Sequence, residues 1–92
     1  MEEHPPLSEL LAFPCDYVFK AFGPAEDEAV FAQAVHQAVC SVTPVPLDAL
    51  RSRSSSGGRY LCVTILVRLH DMAQLEAIYA ALKRVENLQY LL

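Results

Sequence analysis

Apolar and polar residues alternate most regularly between Arg59 and Leu69. Aliphatic residues fill every second position of this stretch: Leu61, Val63, Ile65, Val67 and Leu69. A period of two is typical of a β-strand with one face in the core. The opposite face then carries Tyr60, Cys62, Thr64, Leu66 and Arg68. The stretch is therefore predicted to be a strand whose odd-numbered positions are buried.

Three further strands are predicted. The first covers Asp16 to Phe22. One of its faces carries Lys20 between Val18 and Phe22. The other face is therefore expected in the core; its residues are Tyr17, Phe19 and Ala21. Gly23-Pro24 ends that strand. A weak, polar second strand covers Leu47 to Ser56, and Gly57-Gly58 supplies the turn that follows it. Leu88, Tyr90 and Leu92 alternate as a short final strand.

Two helices lie between these strands. Three acids, Glu26 to Glu28, suit a helix N-terminus, and Pro44 and Pro46 lie beyond the C-terminal end. The apolar stripe of this helix is Phe31, Ala34, Val35, Ala38 and Val42. Asp71 is the expected N-cap of the second helix, with Gln74 placed as in a capping box. Its stripe is Leu75, Ile78, Tyr79, Leu82 and Val85.

The order strand–helix–strand–strand–helix–strand predicts an α+β fold, the ferredoxin-like βαββαβ plait. Its antiparallel four-stranded sheet has the order 4-1-3-2, with both helices on one face. The most apolar strands are then central, and the edge strand carries Arg51 and Arg53, which discourage edge-to-edge pairing. Residues 1–14 are expected to form a loosely ordered arm, and residues 15–92 a single domain.

Composition narrows the classes of function. The chain of 92 residues has a formal net charge of −4, and residues 1–40 hold seven acids against one base, Lys20. This balance argues against nucleic-acid binding as a main function, because such binding needs a basic surface. Cys15, Cys40 and Cys62 lack the spacing of a zinc site or a disulfide framework, so no metal and no cofactor are expected. Without a signal peptide or a membrane-length apolar run, a cytoplasmic location is expected, with no membrane partner.

Several short motifs carry a family resemblance. They are Phe13-Pro14, Phe19-Lys20 with Gly23, the turn Ser55-Ser56-Gly57-Gly58-Arg59-Tyr60, Val63-Thr64, and Leu75 with Ile78-Tyr79 and Leu82. Through them the chain, from about Leu10 onward, resembles the YbeD-like family of small bacterial proteins of unknown function. Ser54, where many relatives have proline, and Ala21-Phe22, in place of two aliphatic residues, depart from that pattern. The resemblance implies a ferredoxin-like domain similar to ACT-type regulatory domains, and a role in lipoate metabolism has been proposed for the family.

No catalytic constellation is evident. A serine nucleophile needs a base within hydrogen-bond reach, and His70 lies at the far end of the third strand from Ser54, Ser55 and Ser56. The Glu26–Glu28 acids already suit a helix start, and His36 lies on a helix flank. The chain is therefore expected not to be an enzyme, and no catalytic residue is assigned.

Anion binding is a hypothesis for the glycine-bearing turn. Backbone N–H groups and guanidinium groups together form anion sites, and Arg51, Arg53 and Arg59 flank this turn. The candidate ligand-binding residues are Lys20, Arg53, Ser55, Ser56, Gly57, Arg59 and Tyr60. A polar hairpin with charged flanks is the alternative. A weaker alternative is that the domain is an RNA-binding plait, in which Tyr60 and Phe22 would stack on bases.

The sheet face without helices is expected to be partly apolar, which is typical of an interface. We therefore predict a homodimer formed through this face or through the edge of the last strand. The expected interface residues are Val18, Phe22, Cys62, Leu66 and Leu91. The alternative is that Leu10, Leu11 and Phe13 cover the face. The predicted function is regulatory or adaptor binding: a metabolite sensor of the ACT type, or a module that docks on a metabolic enzyme.

Overall fold

The computed structural model describes residues 11–55 and 57–92. Most of the predicted arm and Ser56 lie outside the described residues. The strands are β1 (Cys15–Pro24), β2 (Leu50–Ser54), β3 (Tyr60–Leu69) and β4 (Tyr90–Leu91), and the helices are α1 (Glu28–Cys40) and α2 (Met72–Lys83). The predicted βαββαβ order is confirmed. The second strand begins later than expected, because Leu47–Ala49 forms a single turn of 3-10 helix before it.

The four strands form one sheet in the order β2-β3-β1-β4. Every neighbouring pair is antiparallel. Read from its other edge, the sheet has the predicted order 4-1-3-2, which is thus confirmed. The two central strands pair along their whole lengths, from Cys15 opposite Leu69 to Pro24 opposite Tyr60. This register decides which side chains of β1 and β3 are neighbours on each face of the sheet.

Both helices cover the same face of the sheet. The buried core contains all five odd-numbered aliphatic residues of β3 together with Phe19 and Ala21 of β1, as predicted. Leu75, Ile78 and Leu82 of α2 pack onto them, also as predicted. From α1 the buried side chains are Phe31, Val35 and Val39. The ferredoxin-like α+β class is thus confirmed.

The stripe predicted for α1 needs one correction. Val39 is fully buried, whereas Ala34 and Ala38 are only partly buried. Val42 lies beyond the end of the helix at Cys40. The spacing of four from Phe31 through Val35 to Val39 places the larger side chains against the sheet, and this burial is more favourable than that of the alanines.

The two helix starts differ in their capping. The Asp71 side chain accepts a hydrogen bond from the backbone N–H of Gln74 at 2.8 Å, so the predicted N-cap is confirmed. The Gln74 side chain accepts from the N–H of His70 at 2.7 Å, one residue before the position that a capping box uses. At α1, the N-cap Asp27 makes no side-chain capping bond.

The described part of the predicted arm lies beside the core. Leu11 and Phe13 are partly buried and pack against the buried cluster. They therefore do not provide the cover over the helix-free face that the alternative required of them. Leu10, the third residue of that alternative, lies outside the described residues.

Candidate functional site

The sheet face opposite the helices, called the open face below, gathers the side chains of most interest. Its members from the central strands are Asp16, Val18, Lys20, Phe22, Tyr60, Cys62, Thr64, Leu66 and Arg68; the edge strands add Arg51, Arg53 and Tyr90, with Leu92 beyond β4. Seven large hydrophobic side chains are exposed among the described residues, and five of them lie here: Val18, Tyr60, Leu66, Tyr90 and Leu92. Such a concentration is typical of interaction surfaces.

An aromatic pocket occupies one end of the open face. Phe22 lies between Tyr60 and Tyr90, with ring centroids 6.2 and 5.9 Å away and the rings tilted or edge-on. These three rings and Gln89 line a shallow pocket of about 270 Å³. Tyr60 and Tyr90 remain 45% and 60% exposed. The pocket can therefore take an apolar side chain from a partner and still leave hydroxyls at its rim.

Next to this pocket, the strand register places small side chains of β3 between cations of β1 and β2, and this arrangement defines a groove with cationic walls. Its floor is formed by the small side chains of Cys62 and Thr64, which are half-buried. Lys20 lies beside Thr64 on one side, and Arg51 lies beside it on the other. Arg53 pairs in the same way with Cys62. We call these five residues the cationic groove.

Within residues 11–55 and 57–92, no acid neutralises the charges of the groove. The only acid that β1, β2 and β3 place on the open face is Asp16, whose carboxylate is 3.2 Å from Arg68 at the far end. Lys20, Arg51 and Arg53 form no salt bridge with any residue in the ranges 11–55 and 57–92. Three cations therefore face solvent together on a chain whose net charge is −4.

The turn between β2 and β3 is organised by the Ser55 side chain. Its hydroxyl oxygen accepts from the N–H groups of Arg59 and Tyr60, at 3.1 and 3.3 Å. The N–H of Gly58 donates to the Ser55 carbonyl at 2.9 Å, and Gly58 has a φ of 67° that favours glycine. The backbone N–H groups of Arg59 and Tyr60 are thus already bonded within the turn and are not free to bind an anion.

The predicted ligand-binding residues are only partly brought together. Arg53, Ser55 and Tyr60 line a common pocket of about 400 Å³ with Ser54 and Cys62. Arg59 lies in the turn before β3, and the stem of its side chain passes close to Gly57. Lys20 lies across Thr64 from Arg51 in the cationic groove and not at the turn. Ser56 lies outside the described residues.

Four of the predicted interface residues share the open face. Val18 is opposite Leu66, and Phe22 is opposite Cys62 on the neighbouring strand. Leu91 is placed differently: it pairs with Ala21 and packs against the buried core. In β4 it is Tyr90 that shares the face of Phe22. Tyr90 is therefore a site residue that the sequence interpretation left out. Arg51, named there only as a flank of the turn, also belongs to this face, and only the pairing of the edge strands reveals both positions.

A histidine–cysteine pair on α1 was also not predicted. His36 Nε2 is 2.7 Å from the Val45 carbonyl oxygen, and the Cys40 thiol donates to the same oxygen at 3.5 Å. Cys40 Sγ also lies 3.5 Å from His36 Nε2. Both side chains thus hold the segment after α1, and their spacing of four residues on one helix is the signal in the sequence. Among the described residues, no three potential metal ligands cluster.

Over the described ranges, every helix is too short or too polar to span a membrane. The paired strands, the two helices on one side and the open face on the other define the class of this protein as a ferredoxin-like α+β domain. The chain belongs to the family described as protein of unknown function (DUF493), whose model matches residues 8–92.

Relatives in other bacteria agree with this assignment. A UPF0250 protein from Ralstonia nicotianae is 37% identical over 79 residues, which cover 85% of this chain and 79% of the relative. Another from Bordetella pertussis is 34% identical over 83 residues, 89% of each chain. A third, from Shewanella loihica, is 36% identical over 87 residues, 91% of this chain and 92% of the relative. The resemblance to the YbeD-like family is confirmed.

One solved structure shares the fold. The solution structure of protein HP0495 from H. pylori aligns with a TM-score of 0.64 and covers 99% of this chain and 98% of its own. The two sequences are only 10% identical. The similarity therefore supports the fold alone.

Proposed function

We propose that this protein is a non-enzymatic, cytoplasmic regulatory or adaptor domain that acts by binding through its open face. The observation that carries the proposal is the concentration of exposed large hydrophobic side chains on one side of the sheet. Burying them against a partner removes apolar surface from water, at roughly 25 cal/mol per Å². No part of the core has to open for this contact, because the helices cover the opposite side.

Two forms of binding were predicted, and the shape of the open face favours a protein partner. Small-molecule sites are usually concave and enclose most of the ligand. Here the concavities, of about 270 and 400 Å³, are shallow and lie on a surface that extends across all four strands. Exposed side chains such as Val18 and Leu66 lie between them and the far end of the sheet. This arrangement suits docking on another protein better than metabolite sensing.

Site-specific photo-crosslinking tests the proposal. A photoreactive amino acid replaces Leu66 on the open face, or Val30 on the exposed side of α1 as the control, and crosslinking is carried out in cells. We expect one protein to be captured at position 66 and not at position 30. The affinity of that purified protein should then fall for Leu66→Asp and stay unchanged for Val30→Asp.

Two results would refute the proposal. One is equal capture at both positions, since a nonspecific collision does not distinguish two exposed apolar sites. The other is a captured protein whose affinity is the same for wild type and Leu66→Asp. A midpoint of thermal unfolding that rises with one class of metabolite, without any captured protein, would instead support the sensor form.

A further inference from the structure

We propose that the segment bound by the open face is an extended acidic peptide, part of a partner protein, that carries an aromatic or large aliphatic side chain. Its carboxylates would pair with the cationic groove, and its apolar side chain would enter the aromatic pocket. This inference rests on the proposed function and specifies the chemistry of the partner.

Charge complementarity is the first argument. The groove presents Lys20, Arg51 and Arg53, which have no ion-pair partner within the described ranges. The rest of the chain is acidic, as its net charge of −4 despite these cations requires. The groove therefore attracts an anionic segment, whereas the net negative charge of the rest of the chain disfavours its binding elsewhere.

The periodicity of the groove is the second argument. Arg51 and Arg53 are two residues apart on one strand, so their side chains leave the same face of the sheet about 7 Å apart. In an extended peptide lying along β3, every second side chain also points to the same side, with the same spacing of about 7 Å. Acidic residues two positions apart in the peptide can thus meet both guanidinium groups, while the small floor side chains of Cys62 and Thr64 leave room for its backbone.

The neighbouring pocket supplies the third argument. Cys62 pairs with Phe22 on one side and with Arg53 on the other, so the groove opens directly into the aromatic pocket. Tyr60 lines both concavities. A peptide whose carboxylates are held in the groove would place an adjoining apolar side chain among these rings, where its burial adds affinity and specificity.

A peptide fits these features better than RNA does. Base recognition on a sheet needs ring faces free for stacking. The Phe22 and Tyr60 rings instead meet edge-on at 67°, so the edge of one ring is directed at the face of the other. The face also carries the exposed aliphatic side chains Val18 and Leu66.

Selection from a peptide library tests the inference. Random peptides of 10 residues, the length of β3, are displayed and selected against the full chain. We expect enriched peptides to contain acids two positions apart and a nearby aromatic or large aliphatic residue. Affinity for an enriched peptide should fall about tenfold in the Lys20→Gln/Arg51→Gln/Arg53→Gln variant. It should also fall for wild type as salt is raised.

The matched control is Lys83→Gln/Arg84→Gln, which removes cations at the end of α2, away from the open face. This variant should bind the enriched peptide like wild type. All five replaced side chains are exposed, and circular dichroism checks that both variants are folded.

Several outcomes would overturn the inference. They are a selection without binders, enriched peptides without acids, and equal affinity for wild type and the groove variant. Tighter binding of single-stranded oligouridylate than of any peptide would assign the face to RNA. If a partner is still crosslinked at position 66, the first three outcomes would reject only the acidic peptide as the bound segment. The proposed function, binding of a protein through the open face, would then be retained.

Discussion

The hydroxyl groups of Tyr17 and Tyr79 lie 2.9 Å apart and join β1 to α2 beside the core. Their rings meet edge-on at 82°, and both rings contact Phe19, with centroids 4.8 and 5.0 Å from it. Burial, reinforced by the hydrogen bond with Tyr17, raises the pKa of Tyr79 above its ordinary value. Tyr79 therefore stays protonated in the folded protein under conditions that ionise it in the unfolded chain.

Alkaline pH should accordingly weaken the fold through Tyr79. Its stabilising effect is fully present below the unfolded pKa of about 10 and is lost as pH rises through the higher folded value. We expect the free energy of unfolding to decline above about pH 10, and to decline less in Tyr79→Phe. Urea titrations across that range measure the effect.

Tyr17→Phe is the matched control for this experiment. It removes the hydrogen bond, at a cost of about 1 kcal/mol at neutral pH, but retains the buried Tyr79 hydroxyl. Its alkaline decline should therefore lie between those of wild type and Tyr79→Phe, because burial still raises the pKa of Tyr79 when the hydrogen bond is gone. Identical profiles for wild type and Tyr79→Phe would contradict the assignment.

Gly23→Ala should destabilise the domain because β1 and α1 approach each other closely there. A Cβ atom at position 23 would lie 2.5 Å from ring atoms of the buried Phe31. We expect a loss of about 1–3 kcal/mol, as is usual for overpacking. Gly57→Ala is the control, since the nearest atom to its added carbon would be 3.7 Å away. Equal midpoints of chemical unfolding for the two variants would refute the prediction.

The unequal helix caps give another pair of variants. Asp71→Ala removes a side-chain bond to the first turn of α2 and should cost about 1 kcal/mol. Asp27→Ala, at a cap without such a bond, should cost less, because only its interaction with the helix dipole is lost. Thermal or chemical unfolding of both variants measures the difference. A larger loss for Asp27→Ala would show that the capping bond contributes little.

Homodimerisation stays a prediction, and the open face indicates how salt should affect it. Pairing two copies through this face brings the cations Lys20, Arg51 and Arg53 of each copy together. We expect the apolar contact of Val18 and Leu66 to drive association and the cations to oppose it, so that the dimer strengthens as salt screens them. Sedimentation equilibrium at low and high salt, with Leu66→Asp as the disrupting variant, measures this. A purely monomeric mass under both conditions would reject the dimer.

The sequence predicted the fold well where local patterns are strong. The strict alternation of β3 predicted its buried face, and Lys20 identified the exposed face of β1. Asp71 and Gln74 marked the start of α2. The error at Val39 has a physical origin: the alanines at 34 and 38 fit the same helical period, so the period alone did not decide which side faced the sheet.

The candidate site was less predictable because it depends on pairing between strands. Tyr90 meets Phe22 only through the register of β1 with β4, and β4 has just two residues, too few to show a period. For the same reason the sequence could not show that Leu91 faces the core. The role of Ser55 was also hidden, since whether a hydroxyl occupies the donors of a turn depends on its conformation.

The strict alternation of β3 separates two kinds of constraint along one strand. The odd-numbered side chains are buried in the core with those of the helices, whereas Cys62, Thr64 and Leu66 lie on the open face. Replacing the second set leaves the packed interior intact. The domain can therefore serve as a template for protein engineering, in which the even-numbered positions of β3 are replaced to create new binding surfaces while the fold is kept.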